Sequence, residues 1–404
     1  MSELYELPDG WEWKKLEEVF LIERGGSPRP IKDYITESED GINWIKIGDT
    51  VKGEKYITQT AQKIRPEGLK KSRLVKEGDF IMSNSMSFGR PYIVKTKGAI
   101  HDGWLLMRDK LENINKDFFY YLLSSNYMYN KFSSKASGTT VKNLNISLVK
   151  SIEVPFPILK EQKRIVSKLD TLFEKIDKAI ELHKKNIKEA DAFMGSVLNE
   201  VFEELEEKYE KAQIKDFSIV GTGVTPLKSN KDFYENGNIN WITSKATGSD
   251  YVYESEQLIT KKALEQCRLK LNPIGTLIIA LYGQGKTRGQ VSELKIESAT
   301  NQAIATIKVD EEKVVNTFLK YFFKKSYLEL RAKASGGTQA NLNLSIIKNI
   351  ELPLPPLKTQ QKTVKYLDQV SQKIENTKAI QKEKLQNLKD LKASILDQAF
   401  KGQL

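Results

Sequence analysis

Two kinds of periodicity alternate along this chain. Short apolar runs, "GINWI" (41–45), "EGDFIMS" (77–83) and later "TLIIA" (276–280), sit among glycine, asparagine, serine, threonine and aromatic residues, and predict strand-rich domains with some helix. From Lys160 the period becomes helical. Ile165, Leu169, Leu172, Ile176, Ala179, His183, Asn186, Ala190, Phe193 and Val197 alternate spacings of four and three, as a coiled-coil seam does. After a second strand-rich stretch the period returns with Thr363, Leu367, Val370, Ile374, Thr377, Gln381, Lys384, Leu388, Leu391 and Ile395. Prolines stand before each helix, Pro155 and Pro157 first, then Pro353, Pro355 and Pro356; they are expected to stop regular structure there.

The alternation is a repeat. "ASGTTVKNLNISLVKSIEVPFPILKEQKRIVSKLD" (136–170) returns 198 residues later as "ASGGTQANLNLSIIKNIELPLPPLKTQQKTVKYLD" (334–368), and the register persists to Phe202 and Phe400. Looser matches pair Pro28 with Pro226, "GINWI" with "NINWI" (238–242) and "EGDFIMS" with "IGTLIIA" (274–280). The expected organisation is therefore a strand-rich domain over 1–155, a helical region over 156–212, a second strand-rich domain over 213–353 and a second helical region over 354–404. The class is α/β in the α+β sense. Both seams are apolar at their ends and polar in the middle, and a polar layer is costly unless it meets another. Antiparallel helices with centres aligned set His183 and Asn186 against Gln381 and Lys384. Parallel helices would align them too, so the seam alone does not decide; two like modules joined through one helix each favour a closed two-fold arrangement, which needs antiparallel helices. Helices of 40 to 50 residues would be on the order of 60 to 75 Å long, a strut with a globular domain near each end.

Composition narrows the class. The 404 residues carry 64 Lys and Arg against 53 Asp and Glu, a net charge of +11, which fits a nucleic-acid binder and also fits Lys-rich solvated helices. One cysteine, Cys267, excludes an internal disulfide framework, and with only His101 and His183 a metal centre is not expected. The opening "MSELYELPDGWEWKK" is too polar for a signal peptide, and no apolar run approaches the roughly 20 residues that cross a bilayer, so a cytoplasmic protein without a membrane partner is expected.

Ala280 to Thr287 reads A-x-x-x-x-G-K-T, a variant of the phosphate-binding P-loop. A P-loop needs a helix after the loop, whose N-terminus adds positive potential. Beyond Thr287 the chain runs "RGQVSELKIESATNQAIATIKV", which reads as another strand, and the matching stretch "DFIMSNSMSFGRPYIVK" lacks Gly-Lys-Thr. Nucleotide binding is rejected. Tyr282, Gln284, Lys286 and Arg288 on this Gly-flanked loop suit DNA instead: amides and lysine reach phosphates, while Gln and Arg can pair with adenine or guanine edges. The matching loop of the first module offers Ser83, Asn84, Ser85 and Arg90, and the basic turns around Arg24, Arg29 and Lys32 and around Lys228 and Lys231 are further candidates. The similar loops at 133–143 and 331–341 suit phosphate or structure, and Asn143, Asn145, Asn341 and Asn343 are expected to cap backbone.

An Asn-Leu-Asn segment, a proline-rich turn and an E-Q-x-R-I-V helix start, repeated after a variable domain, resemble the specificity subunit of type I restriction-modification systems over essentially the whole chain. The resemblance implies two target-recognition domains, each reading half of a split, asymmetric site in double-stranded DNA. It implies that the helices act as spacer and docking surface for two methyltransferase subunits, that restriction subunits join this core, and that the chain itself catalyses nothing and holds no cofactor. It points to Glu161, Gln162, Arg164, Gln360 and Lys362 at the helix starts as docking candidates. The second copy departs from the pattern, with Thr359, Lys362 and Thr363 for Glu161, Arg164 and Ile165, so the two starts differ in docking chemistry. Domains facing the major groove about one turn apart leave an unread gap of about 5 to 8 base pairs. The rivals are weaker. A methyltransferase needs a catalytic run of the N-P-P-Y type, and "NPIG" (272–275) lacks its aromatic residue and second proline. A nuclease needs clustered carboxylates with a lysine, absent in matching form from the two modules. A coiled-coil scaffold without DNA specificity explains the helices but not the basic, Gly-rich loops, and would bind no duplex in a salt-dependent way.

Overall fold

The computed structural model describes residues 5–51, 53–84, 89–135, 144–283, 287–333 and 341–404. The chain forms two compact units, Met1–His183 with Glu383–Leu404, and Lys184–Lys382. Both long helices, Leu159–Lys208 and Leu357–Phe400, therefore contribute to each unit.

In the first unit a five-stranded sheet runs in the order Phe20–Arg24, Trp104–Asp109, Phe80–Ser83, Pro91–Val94, Tyr56–Ile57, antiparallel except for its last pair. A second sheet is centred on Ile42–Ile45, flanked by Gln62–Ile64 and, in parallel, by Gly98–Ile100. The second unit repeats the first sheet strand for strand: Ser218–Thr222, Ile304–Val309, Leu277–Ala280, Val291–Leu294, Tyr251–Val252. Its smaller sheet is centred on Ile239–Ile242, with the same Ile-Asn-Trp-Ile sequence and the same burial, two half-buried residues followed by two buried ones. Leu277–Ala280 leads not to a helix but to an antiparallel partner, Val291–Leu294, so the P-loop variant has strand-loop-strand geometry.

The helices are antiparallel. In the first unit Asp177 pairs with Lys392 at 2.8 Å and Arg164 donates to the Leu404 carbonyl at 2.7 Å; in the second Asp191 pairs with Lys378 at 2.7 Å and Asn186 donates to Gln381 at 3.4 Å. The seam differs from the expected one past Ile176. Phe193 is 58% exposed and Leu391 48%, and Asn186, Thr377 and Lys384 are exposed too, while Ile180, Ile187 and Met194 turn inward. Two successive spacings of four, Leu172 to Ile176 to Ile180, advance the phase by one position, which a helix of 3.6 residues per turn takes up more readily than a strict heptad. The polar layer is thinner than expected as a result.

Each globular domain is fastened to the start of one long helix and the end of the other. In the first unit Gln162 accepts from the Asn115 N–H at 2.8 Å and donates to the Asn113 and Pro157 carbonyls; in the second Gln360 does the same with Val315, Lys313 and Pro355. Tyr121 donates to Asp170 at 2.5 Å, and Tyr321 to Asp368 at 2.7 Å. Phe400 meets Phe118 edge-on at 5.4 Å, and Phe202 meets Phe318 at 5.2 Å. Burial, with the hydroxyl hydrogen bonds as the smaller cause, raises both tyrosines well above the usual phenol range. Contrary to expectation, Pro155 and Pro157 lie in a strand, Glu153–Pro157, which among the described residues pairs with Trp11–Lys15 alone. A two-stranded ribbon leaves one edge unpaired, which is where a residue without an N–H is tolerated. In the second copy Pro353 ends the matching strand and Pro355 and Pro356 lie beyond it.

Candidate nucleic-acid interface

Between the two sheets of each unit, a tight turn precedes the second strand of the large sheet and is pinned by a glycine. A Cβ on Gly25 would stand 2.1 Å from the His101 carbonyl oxygen, and one on Gly223 would stand 1.6 Å from that of Thr300, so only glycine lets the edge strand come this close. The turn is held by backbone bonds of the same kind, from His101 N to the Ile45 carbonyl and from Asn301 N to that of Ile242. At its tip stand Asp102 and Gln302. The Ser27 hydroxyl donates to Asp102 Oδ1 at 2.7 Å, and the Thr225 hydroxyl to Gln302 Oε1 at 2.5 Å. Three residues before them, Arg24 donates to the backbone carbonyl of Asp102 at 3.2 Å, and the Thr222 hydroxyl donates to the Ile304 carbonyl at 2.7 Å with the Gln302 carbonyl 3.4 Å away.

The first turn is highly charged. Arg29 reaches Asp102 at 3.7 Å with its own side chain 82% exposed, and a cavity of about 870 Å³ is lined by Arg29, Lys32, Lys46, Trp44, His101 and Asp102. The Ser27 hydrogen bond, more than any cation, holds the Asp102 carboxyl below its usual range and so ionised. His101 sits behind it; burial lowers its pKa, partly offset by the carboxylates of Asp102 and Asp49, while Lys46 pushes the same way as burial. The Gly103 and Ile47 N–H groups point at the two ring nitrogens, at 2.7 and 3.3 Å. In the second unit Asn301 takes this place, its side chain accepting from the Ala303 N–H at 3.1 Å, and the matching cavity of about 700 Å³ is lined by Thr225, Lys228, Trp241, Thr243, Lys245 and Asn301.

A family model described as the type I restriction modification DNA specificity domain matches residues 8–190 and again 206–386. The chain belongs to this family. Among its relatives the type I restriction enzyme MjaIX specificity subunit of Methanocaldococcus jannaschii is 22% identical, aligned over 100% of this chain and 95% of that one. The StySPI specificity subunit of Salmonella potsdam is 24% identical over 98% and 90%. Among solved structures, a chain from a study of assembly and conformational transition in the type I R-M system superposes with a TM-score of 0.76 at 22% identity, covering 99% of this chain and 100% of its own. The HsdS subunit of Thermoanaerobacter tengcongensis gives 0.58 at 22% identity, with 99% of both chains covered.

Within this type I specificity chain the candidate residues separate. Arg24 and Arg29 converge on Asp102, with Lys32 on the same cavity. Lys228 lines the second cavity, and Lys231 is exposed beside Glu235 at 3.5 Å. Arg90 and Arg288 are half-buried at their hairpins, and Tyr282 is 38% exposed. Ser85, Gln284, Lys286 and Asn143 lie outside the described residues. Asn145 and Asn343 cap short helices, accepting from Leu148 and Ile346 N–H groups.

Four candidates need correction. Ser83 is fully buried, its hydroxyl accepting from the Arg90 N–H, and Asn84 is 4% exposed, its amide donating to the Asp102 carbonyl; both build the hairpin rather than face a ligand. Gln162 and Gln360 are fully buried with their amides engaged inside each unit, so they cannot present a docking surface. Glu161 and Arg164 stay at the surface as a two-bond pair at 2.7 and 2.8 Å, Arg164 holding the Glu161 carboxyl below its usual range, and Lys362 is exposed. Sequence reading missed Asp102 and Gln302. Aligning Trp104–Asp109 with Ile304–Val309 would have exposed them, because that strand follows each turn at an offset of 200 rather than 198 residues.

Proposed function

We propose that the chain is a non-catalytic DNA specificity subunit, each of whose two units reads one half of a split, asymmetric duplex site. The observation that carries this reading is the repetition itself: one sheet order and one anchoring scheme, built twice, with the reading turns chemically different. Like frames with unlike turns are what reading two different half-sites requires. The exposed cations Arg24, Arg29, Lys32, Lys228 and Lys231 contact phosphates or base edges, with Tyr282, Arg90 and Arg288 at the hairpins. The target-recognition domains span 1–155 and 213–353, and the helical regions over 156–212 and 354–404 space them and dock two methyltransferase subunits and the restriction subunits, with Glu161, Arg164 and Lys362 at the helix starts. The unread gap is about 5 to 8 base pairs.

Affinity for a duplex carrying both half-sites, measured across a salt series, tests the reading. Its logarithm should fall linearly with log salt at a slope of about −0.9 per phosphate neutralised, and binding should be far weaker when either half-site is scrambled. Equal binding to scrambled duplex, or none at low salt, would leave the scaffold reading standing. Removing one turn from either long helix should change the gap and leave the half-sites alone.

A further inference from the structure

The tip of the reading turn carries one side chain in each unit, held in the same way and differing in donor content. The Asp102 side chain offers acceptors only; Ser27 occupies Oδ1, Oδ2 lies 3.7 Å from the exposed guanidinium of Arg29, and the side chain is 45% exposed. Gln302 is exposed, has its Oε1 fixed by Thr225, and its Nε2 makes no hydrogen bond to the described residues. An amide fixed at its oxygen presents one remaining oxygen lone pair beside two N–H donors, which matches the N6 donor and N7 acceptor of adenine. A carboxylate matches the N4 amino group of cytosine. We propose that Asp102 and Gln302 are the matched specificity-determining residues of the two units, Asp102 accepting from a cytosine in one half-site and Gln302 pairing bidentately with an adenine in the other.

The proposal rests on the DNA-reading function above. The surroundings fit it. A carboxylate near phosphates needs compensation, and the first turn surrounds Asp102 with Arg24, Arg29, Lys32 and Lys46, whereas the neutral Gln302 is met by the hydroxyls of Thr222 and Thr225, and the neighbouring cavity, lined by Thr225 and Asn301, carries Lys228 and Lys245 on its wall. Ser27 and Thr225 act as positioning residues that set which atoms of the reader face the groove. Asp102 therefore reads as a fixed acceptor and Gln302 as a fixed donor-acceptor pair.

The test uses the full chain in its own cell with its partners present, exchanging codons on the chromosome and mapping the methylation motif by long-read sequencing. Gln302→Glu keeps the shape and removes the donors; it should move one base pair of one half-site from A·T toward C·G, roughly tenfold or more in preference, and leave the other half-site unchanged. Asp102→Asn should make the converse change in the other half-site. Gln302→Ala should make the same base pair tolerant at an unchanged level of protein. If Gln302→Glu abolishes methylation altogether, the alanine strain decides, with tolerance at one base pair upholding the proposal and an unchanged motif overturning it. An unchanged motif in the Gln302→Glu and Asp102→Asn strains also overturns it. A parent strain with no split motif dependent on this gene defeats the DNA-reading function itself, a separate failure.

Discussion

The two units share their fastenings and differ in their tips. Gln162 and Gln360, Tyr121 and Tyr321, and Phe400 and Phe202 make the same contacts in each unit. The turns that pack against Gly25 and Gly223 carry His101 and Asp102 in one case and Asn301 and Gln302 in the other. The glutamine and phenylalanine fastenings are buried, so any change there leaves a cavity or an unpaired group. The tips face solvent and satisfy their backbone through neighbours, so they can change chemistry at little cost to the fold. On the DNA-reading proposal, a frame that tolerates new tips takes new half-sites while its helices stay as they are.

Four experiments break or sharpen this comparison. The largest effect should come from the aromatic fastenings: Phe400→Ala should destabilise the first unit, and Phe202→Ala the second, by about 3 to 5 kcal/mol, as each is fully or nearly fully buried. Hydrogen exchange should confine the loss to the unit concerned; a uniform loss would mean that the units are not separate frames.

Next comes a buried charge cluster in the second unit. Lys320, 2% exposed, pairs with Glu293 at 3.2 Å and lies 3.7 Å over the Tyr251 ring, and Lys295 meets the other Glu293 oxygen at 2.5 Å; matching positions in the first unit are Tyr120 and Ile93. Glu293→Ala leaves a buried cation without its partner and should cost about 3 to 5 kcal/mol in chemical denaturation, whereas Glu293→Ile with Lys320→Tyr should be close to neutral or stabilising. A larger loss in the double variant would show that the cluster organises the second turn.

Smaller effects are expected from the glutamine fastenings. Gln162→Leu and Gln360→Leu each strand one N–H and two carbonyls, and should cost about 1 to 3 kcal/mol in thermal or denaturant unfolding. Equal costs in both variants support a shared frame.

The smallest effect is in pH. The His101 pKa is lowered from its ordinary 6.5, so the neutral ring is favoured by folding; its contribution is complete above about pH 6.5 and is lost as pH falls below that value toward the folded pKa. A doubly protonated ring would face the Gly103 and Ile47 N–H groups with donors at both nitrogens. Exchange protection around 45–49 and 101–103 should therefore weaken between pH 7 and 5, while the Asn301 turn stays unchanged. His101→Asn should remove the difference.

Much of this frame is legible in the sequence because burial imposes period and repeat. The identical Ile-Asn-Trp-Ile runs give identical central strands, and the antiparallel helices follow from two like modules sharing a seam. The seam is misread at Phe193 because three-four and four-three spacings reach the same end point at Val197, and only packing chooses between them. Pro155 hides a strand because a ribbon with a single partner does not need its N–H. Gln162 reads as a surface polar residue because nothing local shows that its amide reaches the Asn115 and Asn113 backbone, 47 and 49 residues away. Asp102 and Gln302 escape notice because their hydroxyl partners lie more than 70 residues earlier, in another strand's continuation.

The central claim is that two like frames carry two unlike readers for one split site. It is tested most directly by a long-read methylation map of the host genome with and without this gene. The account predicts that deletion removes one split motif with two different half-sites and an unread gap of about 5 to 8 base pairs. A map left unchanged while the methyltransferase partner is expressed would contradict it.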